Sequence, residues 1–114
     1  MTRRHCFALD LKEDPALIAA YETAHAPGGV WPEVLAGIRE QGVVDMQIWR
    51  VFDRLLMICE VEEGFPRASS TPDVMTAWET EMSRYQKELP QAGTGGKWSP
   101  MTRIFDLQDH GVTP

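Results

Sequence analysis

A chain of 114 residues, 43% apolar and 25% charged, has room for one hydrophobic core and the balance of an ordinary globular domain, which excludes extensive disorder. A net charge of −6, with eleven scattered Lys and Arg of which only Arg3-Arg4 adjoin, argues against nucleic acid, because phosphate binding needs clustered cations. No apolar stretch approaches the roughly 20 residues of a bilayer span, and Cys6 and Cys59 lie in apolar runs without a secreted cysteine framework. A soluble protein of the reducing cytoplasm, with two buried free thiols, is expected.

In chain order, residues 5–11 (HCFALDL) alternate as a strand, Phe7, Leu9 and Leu11 on one side and Cys6, Ala8 and Asp10 on the other. Glu13-Asp14-Pro15 opens a helix that carries Leu17, Ile18 and Tyr21 and runs to about His25, where Pro27-Gly28-Gly29 stops it. A second helix starts at Trp31 or Pro32 and runs to Gln41, with Gly42 suited to its C-terminal cap. Residues 43–51 (VVDMQIWRV) and 55–61 (LLMICEV) read as a hairpin, with Asp53-Arg54 in the turn. A loop over 64–72 leads into a helix from Pro72 to about Leu89, in which Val74, Ala77, Trp78, Met82 and Tyr85 have helical spacing. QAGTGGK is a flexible surface connection, TRIFDL (102–107) a last strand, and 108–114 a loose tail.

The order β-α-(α)-β-β-α-β is the α+β, ferredoxin-like split β-α-β sandwich: an antiparallel sheet with helices on one face, residues 1–114 forming a single domain. The first and third strands should be central neighbours. The other sheet face then needs a cover, so a homodimer stacking two sheets is expected. In that frame His25 should stand at the rim of a cavity over the open face.

Tyr21 and His25, one helical turn apart beside a sharp break, are the most suggestive chemical pair. Histidine is suited to proton transfer near neutral pH, and a tyrosine can orient a hydroxylated ligand; the plain alternative is a helix-end histidine bonding a carbonyl, with Tyr21 in the core. Trp31 and Trp78 could line a sugar or aromatic site or simply anchor helices. Trp49 and Trp98 read as structural or as dimer contacts. His5, His25 and His110 are far apart, with no metal-ligand spacing, and there is neither a phosphate-binding glycine motif nor an activated nucleophile. Acid–base chemistry without a cofactor, or simple binding, is what remains.

His25, then Trp31-Pro32-Glu33-Val34-Leu35, a strand pair, and Ser70-Thr71-Pro72-Asp73-Val74 with Trp78 together resemble the L-rhamnose mutarotase family over nearly the whole chain. The resemblance implies a ferredoxin-like dimer. It also implies interconversion, without a cofactor or metal, of the α and β anomers of a 6-deoxyhexose such as L-rhamnose or L-fucose. It makes His25 the acid/base group, Tyr21 the orienting or relaying group, and Trp31 and Trp78 walls. Met46 stands where the family has a tyrosine, Glu79 where it has a second tryptophan, and Gly28-Gly29 is inserted. The sugar-contacting shell is thus altered at Met46 and Glu79, Glu79 being either an acceptor for a sugar hydroxyl or solvated helix surface. Two other readings stand beside this one: a cofactor-independent monooxygenase of the dimeric α/β barrel type, and a non-catalytic small-molecule-binding domain.

Overall fold

The computed structural model describes residues 2–92 and 97–111. Its frame is an antiparallel sheet of β1 (Thr2–Leu11), β2 (Val43–Val51), β3 (Arg54–Glu62), β4 (Gln86–Lys87) and β5 (Ser99–Pro100). The strand order is β2-β3-β1-β4, with β5 also on β1, so the first and third strands are the central pair. Leu9 stands opposite Leu55 and Phe7 opposite Met57, and β2 brings Ile48 opposite Met57 and Met46 opposite Cys59. With side chains alternating, these residues share one face with Leu11 and Val61. Leu9, Leu11 and Leu55 are fully buried there, each contributing about 1.5–3 kcal/mol by leaving water. The opposite face carries Cys6, Ala8, Leu56, Ile58, Trp49 and Val51.

Three helices cover the first face. In α1 (Pro15–Ala24) the Asp14 carboxylate accepts from the main-chain N–H of Ala16 at 2.9 Å and of Leu17 at 3.3 Å, and Pro15 occupies the first turn. In α2 (Pro32–Glu40) Pro32 again opens the helix, and Gly42, at φ +107°, follows its C-terminal cap. The third helix, α3 (Pro72–Met82), crosses α2 closely at Gly37, where an added Cβ would lie 2.5 Å from Met75 Sδ. Among the described residues, no helix is long and apolar enough to cross a membrane.

The structure departs from the sequence reading at four places. The hairpin turn is Phe52-Asp53, with Phe52 at φ 53° and Arg54 already in β3. The third helix ends at Met82, not near Leu89. Its helical periodicity continues to Tyr85, but the edge of β1 captures the following residues: Gln86 and Lys87 pair with Leu11 and Asp10, and Lys12 N–H donates to Tyr85 O at 2.9 Å. Residues 102–106 are not a strand; pairing with β1 stops after Ser99-Pro100 and the bond from Met101 N–H to Cys6 O. The chain then turns away, with Arg103 paired to Asp106 and Asp109, and Ile104 is left 94% exposed. Finally, the cavity beside His25 lies between helices and sheet rather than over the open face. Of the expected flexible connection, residues 93–96 lie outside the described residues, as do 112–114 of the tail.

The break after α1 rests on two glycines used differently. Gly28 sits at φ +86°, a backbone region that L side chains rarely adopt. Gly29 is pressed against the end of α1, where a Cβ would lie 2.6 Å from Ala24 O and 2.8 Å from Thr23 O. Backbone cannot swing aside as a flexible side chain can. Gly29→Ala should therefore cost about 1–3 kcal/mol, read as a lower urea midpoint with an unchanged slope; an unchanged midpoint would show that the turn has slack.

Candidate active site

The last turn of α1 carries Tyr21 and His25 on one side, four residues apart and hence stacked along the helix. Their rings lie 4.2 Å apart between centroids. His25 is the C-terminal cap of α1, and its main-chain N–H donates to Tyr21 O and to Glu22 O, each at 3.2 Å. Its Nδ1 lies 2.9 Å from that same Tyr21 carbonyl. A carbonyl can only accept, so Nδ1 carries the hydrogen, and in the neutral ring Nε2 is left with its lone pair. The helix end thereby sets both the orientation and the tautomer of the imidazole. Trp78 meets the histidine edge-on at 5.7 Å.

Tyr21 is 3% exposed and belongs to the core cluster as well as to the site. Its ring packs edge-on against Tyr85 at 5.9 Å. Gln86 Nε2 donates to the Tyr21 hydroxyl oxygen at 3.3 Å. Burial pushes the phenol up to about 12, the bond from Gln86 partly offsetting this and the nearby Glu79 charge adding to it. Tyr21 therefore stays a neutral hydroxyl at ordinary pH. It can donate and accept hydrogen bonds, but it is a weak proton source.

A cavity of about 770 Å³ opens between the helices and the covered face of the sheet. Tyr21, His25, Trp78, Met46 and Glu79 all line it, so the fold gathers five of the six site residues expected from the sequence. Met46 reaches it from β2 alongside Ile48 and Met57, which supply apolar wall. The carboxylate of Glu79 is bound by Lys97 Nζ at 3.1 Å, and that ammonium also donates to Glu79 O and to Ser83 Oγ. Trp31 is the exception. It caps α2, stands 37% exposed and meets Trp78 edge-on at 5.1 Å, and it is not among the residues that line the cavity. Among the described residues, no group of three His, Cys, Asp or Glu is placed to hold a metal ion.

Trp98 and Gln86 are among the lining residues that the sequence reading did not single out for the site. Trp98 borders the cavity although it read as structural or interfacial. Gln86 borders it as well, 9% exposed and fixed by its pairing with Leu11. A helix running to Leu89 gives position 86 no distinctive place, so no local signal marked it.

The L-rhamnose mutarotase family model matches residues 4–107. The chain is 43% identical over 112 residues to an L-fucose mutarotase of Xanthomonas campestris pv. campestris, covering 94% of this chain and 90% of that protein. It is 31% identical over 110 residues to a UPF0734 protein of Dictyostelium discoideum, covering 88% and 86%. The crystal structure of an L-rhamnose mutarotase from Formosa agariphila has the same fold, with a TM-score of 0.68 over 91% of this chain and 97% of that one at 18% identity. By family match and by close relative alike, the chain belongs to the L-rhamnose mutarotase family.

Proposed function

We propose that the protein is a cofactor-free mutarotase that interconverts the α and β anomers of a 6-deoxyhexose, with L-fucose preferred over L-rhamnose. The observation that carries the chemistry is His25, its Nδ1 tied to the Tyr21 carbonyl at 2.9 Å and its ring at the cavity wall. The preference for L-fucose rests on the relative with 43% identity, named an L-fucose mutarotase. The altered shell at Met46 and Glu79 fits a sugar other than L-rhamnose.

His25 Nε2 accepts the proton of the anomeric hydroxyl. As the C1–O1 bond gains carbonyl character, the bond from C1 to the ring oxygen breaks, and the imidazolium returns its proton to that oxygen. Both oxygens are on C1, so one imidazole serves both in turn, and no net proton is gained or lost. The open-chain aldehyde rotates about C1–C2 and closes on its other face by the reverse steps. A positioned acid/base group of this kind typically supplies about 10²–10⁴-fold. Tyr21, neutral and held by Gln86, orients the sugar rather than supplying the proton. Trp78 offers an apolar ring face that shields the aldehyde without reacting with it.

The same reading includes a homodimer. Leu56, Ile58, Ala8, Trp49 and Val51 form an apolar field on the uncovered sheet face, rimmed by the Arg54–Asp10 and Arg4–Glu60 ion pairs. Joining two such faces through their centres is the economical way to remove them from water.

Two measurements test this reading. Exchange NMR at anomeric equilibrium should show faster α/β exchange for L-fucose, a smaller effect for L-rhamnose and none for a control hexose. His25→Ala should lower the fucose effect at least about 100-fold while the oligomer and its melting curve persist. No acceleration of any aldose would refute the reaction, and activity surviving in His25→Ala would refute the histidine's role. Light scattering should give the wild type twice 12.9 kDa and Ile58→Asp a folded monomer; a monomeric wild type would contradict the dimer.

A further inference from the structure

We propose that Gln86 is a specificity-determining residue: its side-chain amide and the Tyr21 hydroxyl together receive one ring hydroxyl of the sugar, one partner donating to it and the other accepting. The proposal rests on the mutarotase reading and adds to it the residue that distinguishes one hydroxylated sugar from another. Gln86 is 9% exposed and lines the cavity, and its Oε1 has no hydrogen-bond partner among the described residues. Buried side-chain oxygens rarely stay unpartnered, so this one, on a side chain that borders the cavity, points to a partner that the described residues do not supply.

The backbone makes the position firm. Leu11 pairs with Gln86 across β1 and β4, and Lys12 N–H donates to the neighbouring Tyr85 O at 2.9 Å. Gln86 Nε2 is committed to the Tyr21 hydroxyl oxygen at 3.3 Å. Because that oxygen already accepts from the amide, the phenolic hydrogen is free to point away from Gln86. The pair therefore offers one donor, Tyr21 O–H, beside one acceptor, Gln86 Oε1. Turning the amide over exchanges the roles: Tyr21 would donate to Oε1, leaving its lone pair as acceptor and the amide N–H as donor. Either arrangement offers one donor and one acceptor, which an alcohol can satisfy together. A carbonyl or an ammonium could satisfy only half. The matching group is thus a hydroxyl, and since His25 sits one helical turn from Tyr21, it is a ring hydroxyl other than the anomeric one. A site built around such a pair discriminates chiefly against sugars lacking that hydroxyl, because its own polar atoms are then left unpaired.

The test is a titration of wild-type protein and Gln86→Met, followed by tryptophan fluorescence, with L-fucose and its 2-, 3- and 4-deoxy analogues. Wild type should bind one of the three analogues about 10- to 100-fold more weakly than L-fucose, the range of the two neutral hydrogen bonds that analogue cannot make. Gln86→Met should bind L-fucose about 3- to 10-fold more weakly than wild type does, the share of one of those two bonds, and show no such loss on that analogue, while it loses as much on the other two analogues as on L-fucose. In anomer exchange the loss should fall on KM rather than on kcat. Equal loss on all four sugars would mark Gln86 as a purely structural residue and overturn the proposal, as would unchanged binding of all four. If Gln86→Met fails to fold, the wild-type Gln86 side-chain amide resonances decide: they should shift on saturation with L-fucose and not with the discriminating analogue. An amide indifferent to both sugars overturns the assignment. Sugar binding by a wild type that leaves the anomers uncatalysed would contradict the mutarotase reading alone.

Discussion

The carbonyl of Tyr21 accepts twice from His25, once from its main chain and once from its ring, and most of the site follows from that arrangement. It places the imidazole where the helix runs out, fixes which nitrogen bears hydrogen, and leaves the other for chemistry. Gly29, against the last carbonyls of α1, and Gly28, at positive φ, turn the chain at that point. The two glycines are thus a structural part of the histidine's setting rather than slack in a loop.

Around that fixed point the cavity combines apolar walls with a polar edge. Met46, Ile48 and Met57 come from the sheet and Trp78 from α3, while Tyr21, His25, Gln86, Glu79 and Thr76, with Arg39, Gln41 and Asp45, supply polar groups. Glu79 is held at the helix surface by Lys97, which also binds the main chain and Ser83. Such an edge suits the hydroxyls of a sugar better than the flat face of a polycyclic phenol, so it fits the isomerase reading rather than an oxygenase.

Much of this was legible in the sequence because it is encoded locally. Asp14-Pro15 and Pro32 mark helix starts, Gly42 marks an end, and the alternation of Phe7, Leu9 and Leu11 marks the buried face of β1. The helix break singled out His25, and the resemblance gave it a role. What stayed hidden depends on partners distant in the chain. The edge of β1 ends α3 at Met82 and turns Gln86 into a strand residue, overriding helical spacing that continues to Tyr85. Lys97 reaches Glu79 across 18 residues, and Trp31 packs against Trp78 outside the cavity lining, which no local pattern announces. In 102–107 the residues have the composition of a strand, yet Ile104, Phe105 and Leu107 stay mostly exposed among the described residues. Composition proposes a strand, but burial decides whether one forms.

The most direct test of the account is the tautomer of His25, read from long-range ¹H–¹⁵N correlations of the imidazole in ¹⁵N-labelled protein with His25→Ala as the assignment control. The neutral ring should show a protonated Nδ1 and an unprotonated Nε2, and the Nε2 resonance should move when L-fucose is added. A neutral ring with its hydrogen on Nε2 would mean that the Tyr21 carbonyl does not hold it, and the proton-transfer scheme would fall with that bond.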